Sequence, residues 1–252
     1  MNTSFIGQHI IRLNSVDSTN NYTSNLLRHT VMPEGSIVIT SEQTAGRGRR
    51  GRTWQSKIGE NLTFSLLLKP VFLAPSGQFS LAEAISLGIA DGIEELTGKI
   101  CKLKWPNDIL LQGGKVSGIL IESSFQGERT QHAIAGIGIN INQKRFPTDI
   151  SNAVSISTIS GRKYDLDYCL ERFCHSIEQR YLQLKSRRDI IHTAYINHLY
   201  LLHEWADFII DGEKRHVRII DVECDGSILM ETESYRMKLS MINRLDYPAL
   251  SH

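Results

Sequence analysis

The sequence has almost no net charge. Its 252 residues include 28 lysines and arginines and 27 aspartates and glutamates, which leaves a formal net charge of +1. A protein dedicated to nucleic-acid binding normally carries a clear basic excess. The balance therefore counts against DNA or RNA as the main partner, and it favours a local positive field that binds a small anion.

Targeting and membrane signals are also missing. Residues 1–8 contain no basic segment followed by an apolar stretch, so the sequence shows no signal peptide. No apolar run approaches the roughly 20 residues that a membrane-spanning helix needs. The four cysteines lack CxxC spacing, which predicts reduced and mostly buried thiols. We therefore expect a cytoplasmic protein with no membrane partner.

Metal-binding patterns are scarce. The nine histidines show no HExxH or paired spacing. Cys174-His175 lies in a helical pattern with no matching ligands nearby. We expect no metal site built from protein ligands. The sequence also has no internal repeat and no low-complexity segment, and its 41% hydrophobic content is ordinary for a protein with a packed core.

The sequence has instead one dense basic loop. Residues 46–54 read GRGRRGRTW, in which three glycines and four arginines precede Trp54. Glycine lets backbone amides approach a ligand closely, and successive amides can form an anion-binding nest. The planar arginine fork suits carboxylate and phosphate groups. The segment predicts a flexible lid over a small anion, and an arginine-rich RNA-binding patch is the alternative.

Hydrophobic periodicity predicts a mixed α/β fold. Helices are predicted at 20–29, 78–96, 165–184 and 188–200. Strands are predicted at 9–16, 36–40, 61–69, 101–105, 109–112, 116–124 and 132–142. Gly113-Gly114 indicates a hairpin turn between two of these strands.

The hydrophobic pattern changes from a helical to a strand-like period near the end of the chain. Short strands are predicted at 204–211, 213–222, 227–232 and 234–239. Asp-Gly turns at 211–212 and 225–226 separate three of them, which is typical of a small antiparallel barrel. We therefore place a domain boundary near residues 200–203.

Five segments of unusual chemistry occur in one order along the chain. They are Ser18-Thr19-Asn20, Gln43 with the loop 46–54, KWPND at 104–108, GKVSGILIE at 114–122 and GIGININ at 136–142. Together they resemble the biotin protein ligases, which attach biotin to a lysine of a carboxylase carrier domain. The resemblance is dense over residues 17–142, and the combination of GRGRRGRxW with KWPND is highly specific.

The resemblance implies an α/β (α+β) fold. A mixed β-sheet backed by helices would form a class II synthetase-like catalytic core over residues 1–200, which binds biotin and ATP. Residues 201–252 would form a small SH3-like β-barrel. Some members of this family begin with a DNA-binding domain and act as repressors. This chain begins with the first strand of the predicted core, so we expect no such domain and no DNA partner.

The implied activity has two steps. ATP activates biotin as biotinyl-5′-AMP, with Mg²⁺ assisting at the phosphates, and biotin then passes to a lysine of a carrier. The implied partner is the biotin carboxyl carrier protein or domain of acetyl-CoA carboxylase or a related carboxylase. We expect a monomer or a weak homodimer.

The resemblance also assigns a biotin site. Its residues would be Ser18, Thr19, Asn20, Gln43, Gly46, Arg47, Arg49, Lys115 and Gly118. Hydroxyl and amide groups of Ser18, Thr19 and Gln43 can satisfy the ureido group of biotin in a buried pocket. Ser18-Thr19-Asn20 is also a run of helix N-cap residue types, and a cap alone would explain it.

An adjoining ATP and adenylate site follows from the same resemblance. Its residues would be Arg47, Arg49, Arg50, Arg52, Trp54, Asn107, Lys115, Gly138 and Asn140. The first step joins two anions, so cations must offset their charge. Lys115 would contact the biotin carboxylate and the α-phosphate, Asp108 would lie near the incoming lysine amine, and Arg49 is the third catalytic candidate. Asn140 would hydrogen-bond the adenine edge.

Simpler explanations stay open for several of these residues. Lys115 could be a surface lysine after a turn. Asn107 and Asp108 could form an Asx turn, and Gly138 could mark a packing constraint in a strand. A lipoate-protein ligase, which is similar in core fold but lacks GRGRRGRxW, is the alternative enzyme. An RNA-binding module built on the arginine loop is the alternative from another class, and it predicts salt-dependent affinity without ATP turnover.

Overall fold

A large mixed β-sheet organises the first four fifths of the chain. The computed structural model describes residues 2–148, 150 and 152–248. Seven strands form the sheet, in the order β1-β2-β3-β7-β6-β5-β4. Their bounds are β1 Ile10–Val16, β2 Ile37–Gln43, β3 Leu62–Leu68, β4 Cys101–Lys104, β5 Asp108–Leu111, β6 Gly114–Gln126 and β7 Arg129–Ile139. The β1 and β2 strands are parallel, and the other neighbours are antiparallel.

Helices cover both faces of this sheet. They are α1 Thr19–Leu27, α2 Phe79–Thr97, α3 Ile156–Ser160, α4 Leu166–Ser186 and α5 Arg188–His198. The main core lies on the face covered by α2, α4 and α5, and a smaller cluster lies under α1. Because α2 carries Gly88, it can lie directly against α4: a Cβ there would be 2.6 Å from the Cα of Ile177.

A second, antiparallel sheet follows the helices. Its order is β11-β10-β9-β8-β12, so β11 and β12 are its edges. The strands are β8 Trp205–Ile210, β9 Glu213–Val222, β10 Ile228–Glu231, β11 Arg236–Leu239 and β12 Leu245–Asp246. The predicted mixed α/β fold with a small C-terminal β domain is confirmed. The boundary near 200–203 stays a prediction, since Phe208 and Val217 belong to the same core cluster as Phe79.

Local differences from the sequence predictions have simple causes. The hairpin turn between β5 and β6 is Gln112-Gly113, both with positive φ (50° and 82°), and not Gly113-Gly114. Gly114 instead begins β6, where a Cβ would lie 2.2 Å from Val154. The sequence prediction missed α3 and β12, which have only five and two residues.

The thiols behave as predicted for a reduced, packed protein. Cys101, Cys169 and Cys174 are buried and Cys224 is exposed. Burial raises the pKa of each buried thiol to about 12. No helix in the described part of the chain has the length and apolar character needed to cross a membrane. Across residues 2–148, 150 and 152–248, no three His, Cys, Asp or Glu side chains lie together as metal ligands would.

A buried carboxylate connects α2 to α5. The side chain of Glu83 is almost fully buried and accepts a hydrogen bond from His192 Nδ1 at 2.8 Å. Burial raises the pKa of the Glu83 carboxyl. The hydrogen bond to Glu83 raises the pKa of His192. The two helices are therefore held together by a pair whose charge state depends on pH.

Replacing this histidine should destabilise the protein in a pH-dependent way. His192→Ala leaves a buried acceptor unpaired, which should lower the free energy of unfolding by about 1–3 kcal/mol. Because folding raises the pKa of His192, its contribution is complete below its ordinary pKa of about 6.5 and is lost as the pH rises through the folded-state value. Denaturant unfolding should show a larger loss at about pH 6 than at about pH 9. The exposed His29→Ala is the control, and an equal loss at both pH values would contradict the assignment.

Candidate active site

Most of the predicted site residues line one cavity. The cavity has a volume of about 120 Å³ and lies against β3, β6 and β7, with the loop 46–54 closed over it. Thirteen predicted residues are in its lining: Ser18, Thr19, Asn20, Gln43, Arg47, Arg49, Arg52, Trp54, Asn107, Asp108, Lys115, Gly118 and Gly138. Residues from distant segments therefore share a single pocket.

The start of α1 forms a polar part of the wall. The backbone N–H of Thr19 donates to Gln43 Oε1 at 2.8 Å, which fixes the Gln43 amide beside the helix. Ser18 occupies the N-cap position and is buried, yet its side chain makes no capping hydrogen bond among the residues that the structure describes. Helix capping therefore does not explain the hydroxyl of Ser18.

Two glycines on neighbouring strands form the floor. Gly118 on β6 is paired with Gly138 on β7, and the indole of Trp54 lies over both. A Cβ at Gly138 would be 2.2 Å from the indole Cε2, and one at Gly118 would be 3.1 Å from Cζ3. The indole Nε1 is buried without a hydrogen-bond partner in the described residues. The glycines thus leave room for a flat ring system directly on the sheet.

A lysine and an aspartate face each other at the cavity wall. Lys115 Nζ lies 2.7 Å from Asp108 Oδ1, and 5.6 Å from the centre of the Trp54 ring. Asp108 is also the register partner of Lys104 across β4 and β5. Burial lowers the pKa of Lys104, whose Nζ lies 4.7 Å above the ring of Tyr247. Lys115 is therefore part of a compact charge cluster and not a free surface lysine.

Asn107 ties this cluster to the floor. Its Nδ2 donates to the carbonyl of Ile119 at 3.0 Å, and the N–H of Ile119 donates to the Asn107 carbonyl at 3.0 Å. These two bonds fix the segment before β5 against β6. The Asn107 side chain therefore connects the start of β5 to β6 and does not form the Asx turn that was the alternative.

The arginine loop is held shut from two sides. Arg47 donates to Glu122 at 2.6 Å. Arg49 and Arg50 donate to the carbonyl of Met241 at 3.2 Å and 2.7 Å, and Arg50 also donates to the carbonyl of Asn243. Burial lowers the pKa of the Arg49 guanidinium.

Arg52 completes the contacts with the C-terminal domain. It lies 3.8 Å from the carboxylate of Asp246 on β12. Three of the four loop arginines therefore reach residues 241–246, and only Arg47 is paired within the large sheet.

Three predicted residues lie outside the described cavity lining. Glycine is required at position 46 by packing, because a Cβ there would lie 2.3 Å from the Trp54 carbonyl oxygen. Arg50 is turned to the C-terminal domain. Asn140 is buried, and its Nδ2 donates to the carbonyls of Val154 at 3.1 Å and Lys115 at 3.4 Å. Asn140 Nδ2 thus connects two backbone segments, and the contact of Asn140 with an adenine edge stays a prediction.

The sequence analysis missed Glu122, Ser65 and the acceptors at 241–246. Glu122 ends the GKVSGILIE motif and follows Gly118 by four residues along β6. Residues an even number of positions apart point to the same face of a strand. The alternation along β6 could therefore have predicted that Glu122 lies on the same face as Gly118, beside the cavity. Ser65 on β3 and the carbonyls of Met241 and Asn243 carry no sequence signal of this kind.

Known proteins share both the sequence and the fold of this chain. Residues 13–140 match the model of the biotin/lipoate A/B protein ligase family. The chain belongs to this family. The chain is 38% identical over 185 residues to the bifunctional ligase/repressor BirA of Bacillus subtilis, which is 72% of this chain and 56% of that protein. It is 45% identical over 105 residues to the biotin--[acetyl-CoA-carboxylase] ligase of Paracoccus denitrificans, which is 41% of this chain and 43% of that protein. The matched part therefore spans about half of each relative's length.

Solved structures extend the similarity to both sheets. The biotin protein ligase from Aquifex aeolicus in complex with biotin and ATP has a TM-score of 0.81 and 29% identity, over 96% of this chain and 100% of that one. The biotin protein ligase from Leishmania major in complex with biotinyl-5-AMP has a TM-score of 0.62 and 26% identity, over 92% of this chain and 99% of that one. The predicted family is confirmed.

Adding one methyl group to the floor should displace the indole. In Gly138→Ala the new Cβ would overlap the Trp54 ring at 2.2 Å. We expect the ring to be displaced from the floor and to become more accessible to solvent. Acrylamide quenching of tryptophan fluorescence should increase, and the increase should vanish when Trp54→Phe is added. Gly118→Ala, with its Cβ at 3.1 Å, should give a smaller change. Unchanged quenching in Gly138→Ala would show that the indole does not occupy the floor.

Proposed function

We propose that this protein activates biotin with ATP and transfers it to a lysine of a carrier protein. One observation carries the proposal: the hydrogen-bonding groups of Thr19 and Gln43, the glycine floor and the cations Lys115 and Arg49 line a single cavity. Such a cavity suits a ligand with a polar head, an apolar body and a carboxylate. The relatives named as biotin ligases and the solved complexes with biotin, ATP and biotinyl-5-AMP support it.

The first step joins a carboxylate to a phosphate. A carboxylate oxygen of biotin attacks the α-phosphorus of ATP, the bond to the bridging oxygen breaks, and pyrophosphate leaves with the electron pair. Lys115 and Arg49 offset the negative charge that develops between the two anions. Arg47 and Arg52 line the same cavity and hold phosphate oxygens in this proposal.

The second step transfers the acyl group. The neutral amine of a carrier lysine attacks the biotinyl carbonyl carbon, the bond to the phosphate oxygen breaks, and AMP leaves. Asp108 accepts the proton that the amine loses. Asp108 is paired with Lys115 in this structure, so it becomes available as Lys115 turns to the phosphate.

Further components belong to the proposal. Mg²⁺ would bind phosphate oxygens and water with few protein ligands, and it would offset phosphate charge. The carrier would be the biotin carboxyl carrier protein or domain of an acetyl-CoA carboxylase, in the cytoplasm. We propose residues 1–200 as the catalytic domain and residues 201–252 as the C-terminal domain, in a monomer or a weak homodimer.

Biotin-dependent exchange of pyrophosphate into ATP tests this function. Radiolabelled pyrophosphate should enter ATP with biotin and not with lipoate, and biotinyl-5′-AMP should be detected by mass analysis. Lipoate is the necessary comparison because the family includes lipoate ligases. Exchange that is independent of biotin, or equal with lipoate, would refute the proposal.

Removing the lysine should separate binding from chemistry. Lys115→Ala should slow adenylate formation by on the order of a hundredfold or more, because the charge it offsets develops in the transition state. Calorimetric affinity for biotin should fall much less. Lys57→Ala is the control, since the Lys57 side chain is exposed, lies outside the cavity lining and is paired with Glu60 at 2.6 Å. Equal losses of rate and affinity would make Lys115 a binding residue only.

A further inference from the structure

One lysine beside the cavity has no part in the two steps proposed above. Lys104 ends β4 and is the register partner of Asp108 at the start of β5. Side chains of directly paired residues lie on the same face of a sheet, with their Cβ atoms about 5 Å apart. Asp108 belongs to the cavity lining and Lys104 does not, so Lys104 approaches the carboxylate from outside the cavity.

The ammonium group of Lys104 is held without a close counterion. Its side chain is half-buried, and Nζ lies 4.7 Å from the centre of the Tyr247 ring. Among the residues that the structure describes, it forms no ion pair within 4 Å, whereas Lys115 lies 2.7 Å from Asp108. Burial raises the pKa of the Tyr247 phenol, so the ring beside Lys104 carries no charge.

Charged groups from four segments surround this lysine. They are Asp108 on β5, Lys115 on β6, Arg52 in the arginine loop and Asp246 on β12. Burial lowers the pKa of Lys104, the two carboxylates oppose this effect, and the two cations add to it. Lys104 and Lys115 thus repel each other while they share one carboxylate.

Packing against Tyr247 does not require a charge at position 104. An apolar side chain such as methionine would also cover the ring, and it would avoid the cost that burial imposes on an ammonium group. A cation–π contact at a partly exposed position contributes little to stability. The charge of Lys104 is better explained by its effect on what binds to Asp108.

Acyl transfer requires a neutral amine beside that carboxylate. A lysine side chain in solvent is mostly an ammonium ion at neutral pH, since its ordinary pKa is about 10.4. Asp108 alone would favour the ammonium form, because an opposite charge nearby stabilises it. A fixed cation on the other side of Asp108 has the opposite effect, and a neighbouring cation is one of the ways in which proteins activate a nucleophilic lysine.

We propose that Lys104 is a positioning residue for the second step, whose fixed charge presents the incoming amine at Asp108 as the neutral nucleophile. The inference rests on the proposed function, because the acceptor is taken to be a lysine of a carrier protein. An amine that reaches Asp108 takes the place that Lys115 Nζ holds in this structure, so it meets the same repulsion from Lys104.

The protons balance without a proton transfer to Lys104. The carrier ammonium gives its first proton to solvent, and Asp108 accepts the second as the carbon–nitrogen bond forms and AMP leaves. Lys104 keeps its own protons, acts through its electric field and touches no reacting atom.

The pH profile of acyl transfer tests this inference. Chemically prepared biotinyl-5′-AMP is bound to the protein, and its single-turnover transfer to the biotin-accepting domain of an acetyl-CoA carboxylase is followed over a range of pH. In Lys104→Met the ammonium form regains its advantage, so the pH of half-maximal rate should rise by about one unit. The rate at about pH 7 should fall about tenfold, and the two rates should converge at high pH.

Small amines give a second measurement at a single pH. Primary amines of graded basicity replace the carrier domain at about pH 7, and the biotinyl amide is measured. The loss in Lys104→Met should be about tenfold for strongly basic amines and should vanish for amines that are already neutral at that pH. A residue with a structural role alone would slow all of these amines by the same factor.

The matched control lies on the same strand. Lys102 is two residues before Lys104 on β4 and is exposed, so Lys102→Met removes the same charge at a greater distance from Asp108 and should leave the pH profile unchanged. Lys104→Arg keeps the charge and should stay within about threefold of the parent at each pH. Lys104→Gln is a second neutral variant, and denaturant unfolding of each variant reports any loss of folding.

The outcomes separate this inference from the proposed function. Parent protein that transfers biotin to neither the carrier domain nor the amines overturns the proposed second step, and the role of Lys104 with it. Parent protein that transfers biotin, with the same pH profile in Lys104→Met and Lys104→Gln, overturns the role of Lys104 alone. An equal loss at every pH and with every amine also overturns that role. A shift in both neutral variants that is absent in Lys104→Arg supports the inference.

Discussion

The structure depends on how it accommodates a dense group of cations: Arg47, Arg49, Arg52 and Lys115 line one small cavity, and Arg50 and Lys104 lie close by. Three of these cations lie beside carboxylates. Asp108 faces Lys115, Glu122 faces Arg47, and Asp246 lies near Arg52. Backbone carbonyls of Met241 and Asn243 accept from Arg49 and Arg50, while the ring of Tyr247 lies beneath Lys104. Repulsion between like charges grows as water is excluded, so the closed loop requires these acceptors. An anionic ligand must compete with them, which lets the protein bind an anion without holding bare charge in its absence.

The C-terminal domain supplies much of this compensation. Hydrogen bonds hold the turn at 240–243 in place. Asn243 Oδ1 accepts from the backbone N–H and the hydroxyl of Ser240, and Asn243 Nδ2 donates to Asp211 at 2.8 Å. The carbonyls that it presents do not titrate, unlike carboxylates. The loop and its acceptors are about 190 residues apart in sequence. Closure of the cavity is therefore a property of both parts of the chain, although no ligand-binding pattern is visible in the C-terminal sequence.

Local sequence patterns predicted most elements because their periods are strong. The apolar positions of α2 and the buried strands β3 and β7 recur with the spacing that packing against a sheet imposes. The residues of the cavity were found from motifs that carry their own chemistry, as with Lys115 and the arginine loop. Sequence patterns do not predict long-range contacts. The sequence does not show that Asn140 Nδ2 donates to the carbonyls of Val154 and Lys115. The sequence predicted the hairpin turn at Gly113-Gly114, but it lies at Gln112-Gly113. Gly114 belongs to β6, where Val154 packs against it.

Asp108 links the two proposed steps through its neighbours. It stands between two lysines, with Lys115 in contact at 2.7 Å and Lys104 opposite it in the β4–β5 register. If Lys115 turns to a phosphate in the first step, Asp108 loses its closest partner while a cation remains beside it across the strand pair. The carboxylate is then released from Lys115 during the first step, so it is already free when a carrier amine needs a base in the second. One lysine would thus serve both steps, and the exchange of its partner would require no movement of the sheet that carries both residues.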